Sequence, residues 1–175
     1  AVAAEAAQTH PLLLSSGPDV PEMERWLHRQ LAQNDERLQD LQQRLWTPVT
    51  FQRTDRVLVL GGRSLLWALG PLNAVQEGSV TILCSSAEER ARLEAQVDLL
   101  DPLHRPKLLT GGFKALQALP QDWQFEVVGG RFSSDDRDWI ESPTFWQQLQ
   151  LKLSPGAQLH VLLSQTAIGP AAALA

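Results

Sequence analysis

Arg56-Val57-Leu58-Val59-Leu60-Gly61-Gly62-Arg63-Ser64 is the stretch on which the fold turns. A short, unbroken apolar run closed by two glycines predicts a strand buried on both faces, and hence a parallel sheet. Gly61 and Gly62 permit a sharp turn, and Ser64 suits the cap of a following helix. That helix is expected from Ser64 to Asn73, with Gly70-Pro71 breaking it near its end.

The same alternation continues downstream. Ser79–Cys84 reads as a second strand, followed by a charged amphipathic helix from Ala87 to Leu100. Lys107–Thr110 is a weaker third strand, then Gly111-Gly112 and a short helix to Leu119. Phe125–Val128 is the fourth, expected to end at Gly129-Gly130. An acidic loop with Asp135, Asp136 and Asp138 leads to a helix over Pro143–Leu153. Pro155-Gly156 then turns the chain into a fifth strand, Gln158–Leu163. Five strands alternating with helices predict an α/β, Rossmann-like open sheet, mainly parallel, with helices on both faces. Ligands of such sheets bind at the carboxyl ends of the strands, where the strand order switches.

Upstream, residues 1–20 read as a linker or arm and residues 21–47 as a helical segment. Pro21, Glu22 and Glu24 suit a helix start. Leu27, Leu31, Leu38, Leu41 and Leu45 form a stripe that predicts packing onto the following domain, with a dimerising coil as the other reading. Asn34-Asp35 could divide the segment, Asp35 capping the second part. Residues 50–175 form the α/β domain.

Composition narrows the function classes. With 43% hydrophobic and 20% charged residues, the 175-residue chain has ordinary globular material for a core. Fifteen Lys+Arg against twenty Asp+Glu give a net charge of -5, which disfavours a free-standing nucleic-acid binder. Its apolar runs fall short of the ~20 residues of a membrane span. The single cysteine, Cys84, excludes an internal disulfide framework, and a reducing, cytoplasmic compartment is expected.

Chemical motifs are sparse. Neither GxGxxG nor GxxxxGK[ST] occurs around Gly61, so a phosphate-binding turn there is a bare alternative to a structural one. His10, His28, His104 and His160 have no metal-ligand spacing. Ser64 and Ser85 lack a nucleophile-elbow context. Cys84 reads as a small buried hydrophobe, the alternative being a thiol activated at a strand exit. Glu126 reads as a strand-end polar residue without chemical duty. Of the six tryptophans, Trp26, Trp46, Trp67 and Trp146 fit core-facing helical positions, whereas Trp123 and Trp139 flank the fourth strand.

The order of these features resembles the class I S-adenosylmethionine-dependent methyltransferases over roughly residues 50–165. Val57–Leu66 lies where that family has its glycine-rich first motif, and Val80–Ser86 where it has its second strand and tip. Thr110–Pro120 is similar to the stretch reading G-D-A-x-x-L-P. Leu153-Ser-Pro-Gly-Ala-Gln-Leu159 closely resembles L-x-P-G-G-x-L ahead of strand five. The resemblance implies S-adenosylmethionine as cofactor and places it against Gly61, Gly62, Ser64, Cys84, Ser85, Gly111, Gly112 and Gly129. It also implies no catalytic residue that can be named. Because the chain ends soon after the fifth strand, it implies a domain truncated there, with an exposed strand edge.

Several positions depart from the family pattern. Val59 stands where the family has a carboxylate near the methionine amino group. Cys84 and Ser85 replace the acid that meets the ribose hydroxyls, and Gly112 the one near the adenine. Arg63 and Leu65 replace small residues. Charge-assisted hydrogen bonds of this kind contribute roughly 1.5–3 kcal/mol each, so their loss predicts a degenerate cofactor site. A binding or scaffolding module is therefore expected. The alternatives are an atypical methyltransferase and a nucleotide-binding α/β domain. Phe125–Phe132 and the leucine- and tryptophan-rich helix ahead of the sheet also resemble a domain appended to bacterial AAA-family replication-associated recombination ATPases. That resemblance implies other domains of a longer parent chain as partners. A homodimer is a further expectation, and nucleic acid is only faintly indicated.

Overall fold

A computed structural model describes residue 29 and residues 36–163, apart from residues 62 and 133–135. The readings placed on residues 1–20, on Trp26, Leu27, Leu31, Asn34 and Asp35, on His10 and His28, and on Gly62 and Asp135 lie outside the described residues.

The chain runs α1 (Glu36–Trp46), β1 (Arg56–Leu60), α2 (Leu66–Ala74), β2 (Ser79–Cys84) and α3 (Ala87–Val97). It continues with β3 (Lys107–Thr110), α4 (Phe113–Gln117), β4 (Phe125–Phe132), α5 (Arg137–Ile140), α6 (Pro143–Leu151) and β5 (Leu153–Leu163). All five strands are parallel, in the order β3-β2-β1-β4-β5. Val57 through Leu60 are completely buried, as expected for the central strand of a doubly covered sheet. Side chains alternate between two cores. Val57, Val59, Ile82 and Val127 face α1, α2 and α3, whereas Leu58, Leu60, Leu83 and Val128 face α4 and α6. Full burial of such side chains contributes roughly 1.5–3 kcal/mol each.

Several expected boundaries are corrected: the helix predicted to Leu100 ends at Val97, and the one predicted to Leu119 ends at Gln117. The helix predicted from Ser64 begins at Leu66 and runs to Ala74 without breaking at Gly70-Pro71. Pro71 has no N–H to donate to the carbonyl of Trp67 four residues back. The indole Nε1–H of Trp46 donates to that carbonyl instead, at 2.8 Å. β4 does not stop at Val128 but passes through Gly129 and Gly130 to Phe132. A Cβ on Gly130 would overlap the carbonyl oxygen of Leu60, so the close approach of β1 and β4 demands glycine there. The helix predicted to Leu153 ends at Leu151, and β5 starts at Leu153 rather than Gln158, with an irregular register between Phe125 and Val127 of its partner. The Ser154-Pro155-Gly156 turn is thereby taken into the strand, Ser154 Oγ donating to the carbonyl of Phe125 at 3.2 Å.

The leucine stripe of α1 packs on the first core: Leu45 and Trp46 are buried there, with Leu38 and Leu41 against it. The segment joining α1 to β1 is fixed by Gln158 on β5. The side-chain Nε2 donates to the carbonyl of Thr50 at 2.7 Å, and its Oε1 accepts from Thr50 N–H at 3.1 Å.

Candidate functional site

Strand order reverses between β1 and β4, so the carboxyl ends of these two strands frame the crevice where an open α/β sheet binds its ligand. Gly61 lies at its floor with φ 78°, a conformation that favours glycine. Arg63 N–H donates to the carbonyl of Gly61 at 2.9 Å, closing a tight turn. The space that glycine leaves at Gly61 is taken by the protein itself, because a Cβ there would overlap the carbonyl oxygen of Arg131. Ser64 Oγ accepts from Leu66 N–H at 3.2 Å, and Leu65 N–H donates to Gln96 Oε1 at 3.1 Å. The amino end of α2 is thus partly satisfied by neighbouring side chains.

Arg63 crosses from β1 towards both neighbouring strand ends. Its guanidinium lies 3.4 Å from Glu89 and 3.8 Å from Asp136, whose side chains are 14% and 5% exposed. Glu89 is itself held in place. Its Oε2 accepts from Ser85 N–H at 3.0 Å, and its own N–H donates to Ser86 Oγ at 3.2 Å. Ser86-x-x-Glu89 is the capping-box spacing, and reading it would have put a carboxylate at the tip of β2. Asp136 and Arg131 were also missed as site residues. No motif marks them, since only the β1–β4 pairing brings them beside Gly61. The resulting crevice is lined by Leu38, Gly61, Arg63, Ser64, Trp67, Arg131 and Asp136 and encloses about 180 Å³.

Of the residues singled out in the sequence, Ser85, Gly111 and Gly112 line a second, larger cavity of about 360 Å³ with Lys114, Asp138, Trp139, Ser142 and Phe145. Gly112 faces the Trp139 indole, which stacks on Phe145 with ring centroids 5.4 Å apart. Gly61 and Ser64 line the smaller crevice. Gly129 belongs to neither: a Cβ on it would come within 2.6 Å of the Trp46 ring, so its bareness makes room for that indole.

Cys84 is completely buried at the end of β2. Burial, reinforced by the nearby Glu89 carboxylate, pushes its thiol up from 9.0 to about 11. An activated nucleophile needs the opposite shift. Glu126 lies at the far end of the sheet, where its Oε2 accepts from Arg56 N–H at 2.6 Å. Among the described residues no group of His, Cys, Asp and Glu could hold a metal ion. No described helix is long and apolar enough to cross a membrane.

The architecture matches solved methyltransferases. Glycopeptide N-methyltransferase MtfA, complexed with (S)-adenosyl-L-homocysteine, superposes with a TM-score of 0.53 at 16% identity over 70% of this chain and 47% of that one. Coclaurine N-methyltransferase, bound to N-methylheliamine and S-adenosylhomocysteine, gives 0.55 at 11% identity over 73% and 36%. The fold is methyltransferase-like. A Corynebacterium glutamicum protein matches 91% of this chain and 73% of its own, with a TM-score of 0.52 and 17% identity. Identities this low establish likeness of fold alone. The chain spans 47% and 36% of the length of these two methyltransferases. Neither a protein-family model nor a curated protein matches it.

Proposed function

We propose that this chain is a methyltransferase-fold domain with a degenerate cofactor site, acting as a binding or scaffolding module of a larger protein. The observation that carries the reading is Arg63, which spans the crevice above Gly61 to Glu89 and Asp136. S-adenosylmethionine carries a sulfonium cation and an ammonium group beside a single carboxylate, so it is a net cation. Here the first-strand carboxylate is Val59, wholly buried, and two arginines line the crevice. Like charges about 4 Å apart repel by about 4 kcal/mol at an effective dielectric of 20. The crevice volume of about 180 Å³ also falls below the ~300 Å³ at which small-molecule pockets begin.

Calorimetric titration of the chain with S-adenosylmethionine and with S-adenosylhomocysteine tests this directly. No saturable heat is expected up to millimolar ligand. One-to-one binding at low micromolar Kd would overturn the reading.

A second reading, an atypical methyltransferase holding cofactor through backbone groups, is favoured by the 360 Å³ cavity beside Ser85, Gly111 and Gly112. It requires transfer of a labelled methyl group to some cellular fraction; no transfer to protein, nucleic acid or small molecules would count against it. As parent protein we propose a cytoplasmic replication-associated recombination ATPase, on the sequence resemblance of Phe125–Phe132 and of the leucine- and tryptophan-rich helix ahead of the sheet.

A further inference from the structure

We propose that the cavity at the carboxyl ends of β2 and β3 is a binding site for a small zwitterion with an aromatic group, the chemistry of an aromatic α-amino acid. The cavity encloses about 360 Å³, within the ~300–1,000 Å³ range of small-molecule pockets. Lys114 of α4 and Asp138 of α5 both line it. Neither has an ion-pair partner among the described residues, and they do not pair with each other. Next to them, opposite charges do close on one another: Arg137 of α5 meets Glu141 at 2.8 Å. Lys114 and Asp138 instead present a set of donors and a set of acceptors to one shared space.

The two lining charges cancel, so the cavity selects neither an anion nor a cation. An anion gains Lys114 and is repelled by Asp138, and a cation meets the reverse. A ligand with both a carboxylate and an ammonium satisfies the two at once, through charge-assisted hydrogen bonds. The apolar wall comes from Trp139, half-buried, stacked on the buried Phe145. Such rings give a ligand's own ring a surface for edge or offset contact. Ser142 Oγ accepts from Phe145 N–H at 3.3 Å, and its hydroxyl proton has no acceptor among the described residues. Gly111 adds an open stretch of backbone. It has φ 113°, and a Cβ there would meet no atom within 4 Å, so a ligand can approach the main chain closely. This site deepens the reading of the chain as a binding module, and rests on it in leaving the cavity free of cofactor.

The test is calorimetric titration of the full chain with L-phenylalanine. Saturable one-to-one binding is expected, at least tenfold tighter than that of L-alanine, which has no ring for the aromatic wall. Phenylalanine amide lacks the carboxylate and N-acetylphenylalanine the ammonium. Each should bind at least tenfold more weakly, because a site built around a polar group rejects the analogue without it. Lys114→Gln should weaken phenylalanine binding and erase the preference over the amide. Asp138→Asn should weaken it and erase the preference over the N-acetyl compound. Both residues are exposed, so the urea midpoints of the two variants should stay near the parent's. The dipeptide phenylalanyl-alanine separates the sources of the zwitterion: tighter binding than phenylalanine marks a short peptide, equal or weaker binding a free amino acid. Absence of saturable heat, blocked compounds that bind as well as phenylalanine, or affinity unchanged in either variant overturns the proposal. Titration with S-adenosylhomocysteine keeps the two readings apart. Micromolar binding of it overturns the binding-module reading, whereas failure of phenylalanine with no S-adenosylhomocysteine binding overturns this site alone.

Discussion

The indole of Trp46 donates to the backbone carbonyl of Trp67 at 2.8 Å, filling the place in α2 that Pro71 leaves vacant. A proline inside a helix removes one backbone hydrogen bond and usually kinks or ends the helix. Here a side chain from the preceding helix supplies the missing donor, and α1 is thereby fastened to α2. The same ring is seated over Gly129 of β4. One tryptophan thus joins the leading helix, the first crossover helix and the sheet strand that borders the crevice.

Trp46→Phe keeps most of the apolar contact but leaves the Trp67 carbonyl buried and unpaired. A loss of about 1–3 kcal/mol in urea unfolding is expected. Pro71→Ala restores a backbone N–H to that carbonyl, so in the Trp46→Phe background it should recover part of the loss. In the parent the new N–H only competes with the indole, and the gain should be smaller. Additive effects in the double-mutant cycle would show that the two residues are not coupled in this way.

Adding a methyl group at either glycine inside β4 should destabilise the fold. At Gly129 the obstacles are the Trp46 ring, 2.6 Å from the added atom, and the His160 carbonyl oxygen at 2.9 Å; at Gly130 it is the Leu60 carbonyl oxygen of the paired strand, closer still at 2.1 Å. Gly129→Ala should therefore cost roughly 1–3 kcal/mol. Gly130→Ala should cost more, and circular dichroism melts should rank the two in that order. The reverse ranking would mean that the Trp46 seat, not the strand spacing, is the tighter constraint.

The residues that fixed the architecture were local signals, and those that fill the site were not. Val57–Leu60 followed by Gly61 announces a buried parallel strand and a turn, and that part of the sequence reading holds. The passage of β4 through Gly129-Gly130 could not be seen, because two glycines end a strand as readily as they allow two strands to crowd together. Pro71 failed as a helix breaker for a similar reason, its compensating donor lying 21 residues away along the chain to Trp67. In the crevice, Gly61, Arg63 and Ser64 were visible as a turn. Glu89, Arg131 and Asp136 become neighbours only through strand order, which no spacing along the chain encodes.

The buried thiol of Cys84 ties stability to pH in a definite direction. Its pKa lies at about 11 in the folded chain against 9.0 ordinarily, chiefly because burial penalises the thiolate. Below pH 9 the group is protonated in both states and its contribution is complete. As the pH rises from 9 towards 11 the unfolded chain loses the proton first, so stability should fall by up to roughly 3 kcal/mol across that window. Cys84→Ala should flatten this alkaline limb in urea unfolding followed against pH. In the native parent, a thiol reagent at pH 8 should react only as fast as the fold opens. Rapid stoichiometric modification would contradict the burial.

The two edges of the sheet differ in a way that predicts solution behaviour. β3 is four residues long and begins with Lys107, the short, charged form that discourages pairing with another chain. β5 is eleven residues long, contains no Asp, Glu, Lys or Arg, and among the described residues pairs only with β4. Leu159 and Leu163, each 45% exposed, add apolar surface beside its unpaired backbone groups. Sedimentation of the isolated chain should therefore show association that grows with protein concentration. Substitutions at such exposed positions usually change stability by no more than ~0.5 kcal/mol. Leu159→Lys combined with Leu163→Lys should accordingly leave the unfolding midpoint nearly in place while lowering the weight-average mass at high concentration. A double variant that associates as strongly as the parent would move the sticky surface elsewhere. One that unfolds several kcal/mol more easily would instead show that both leucines are covered in solution.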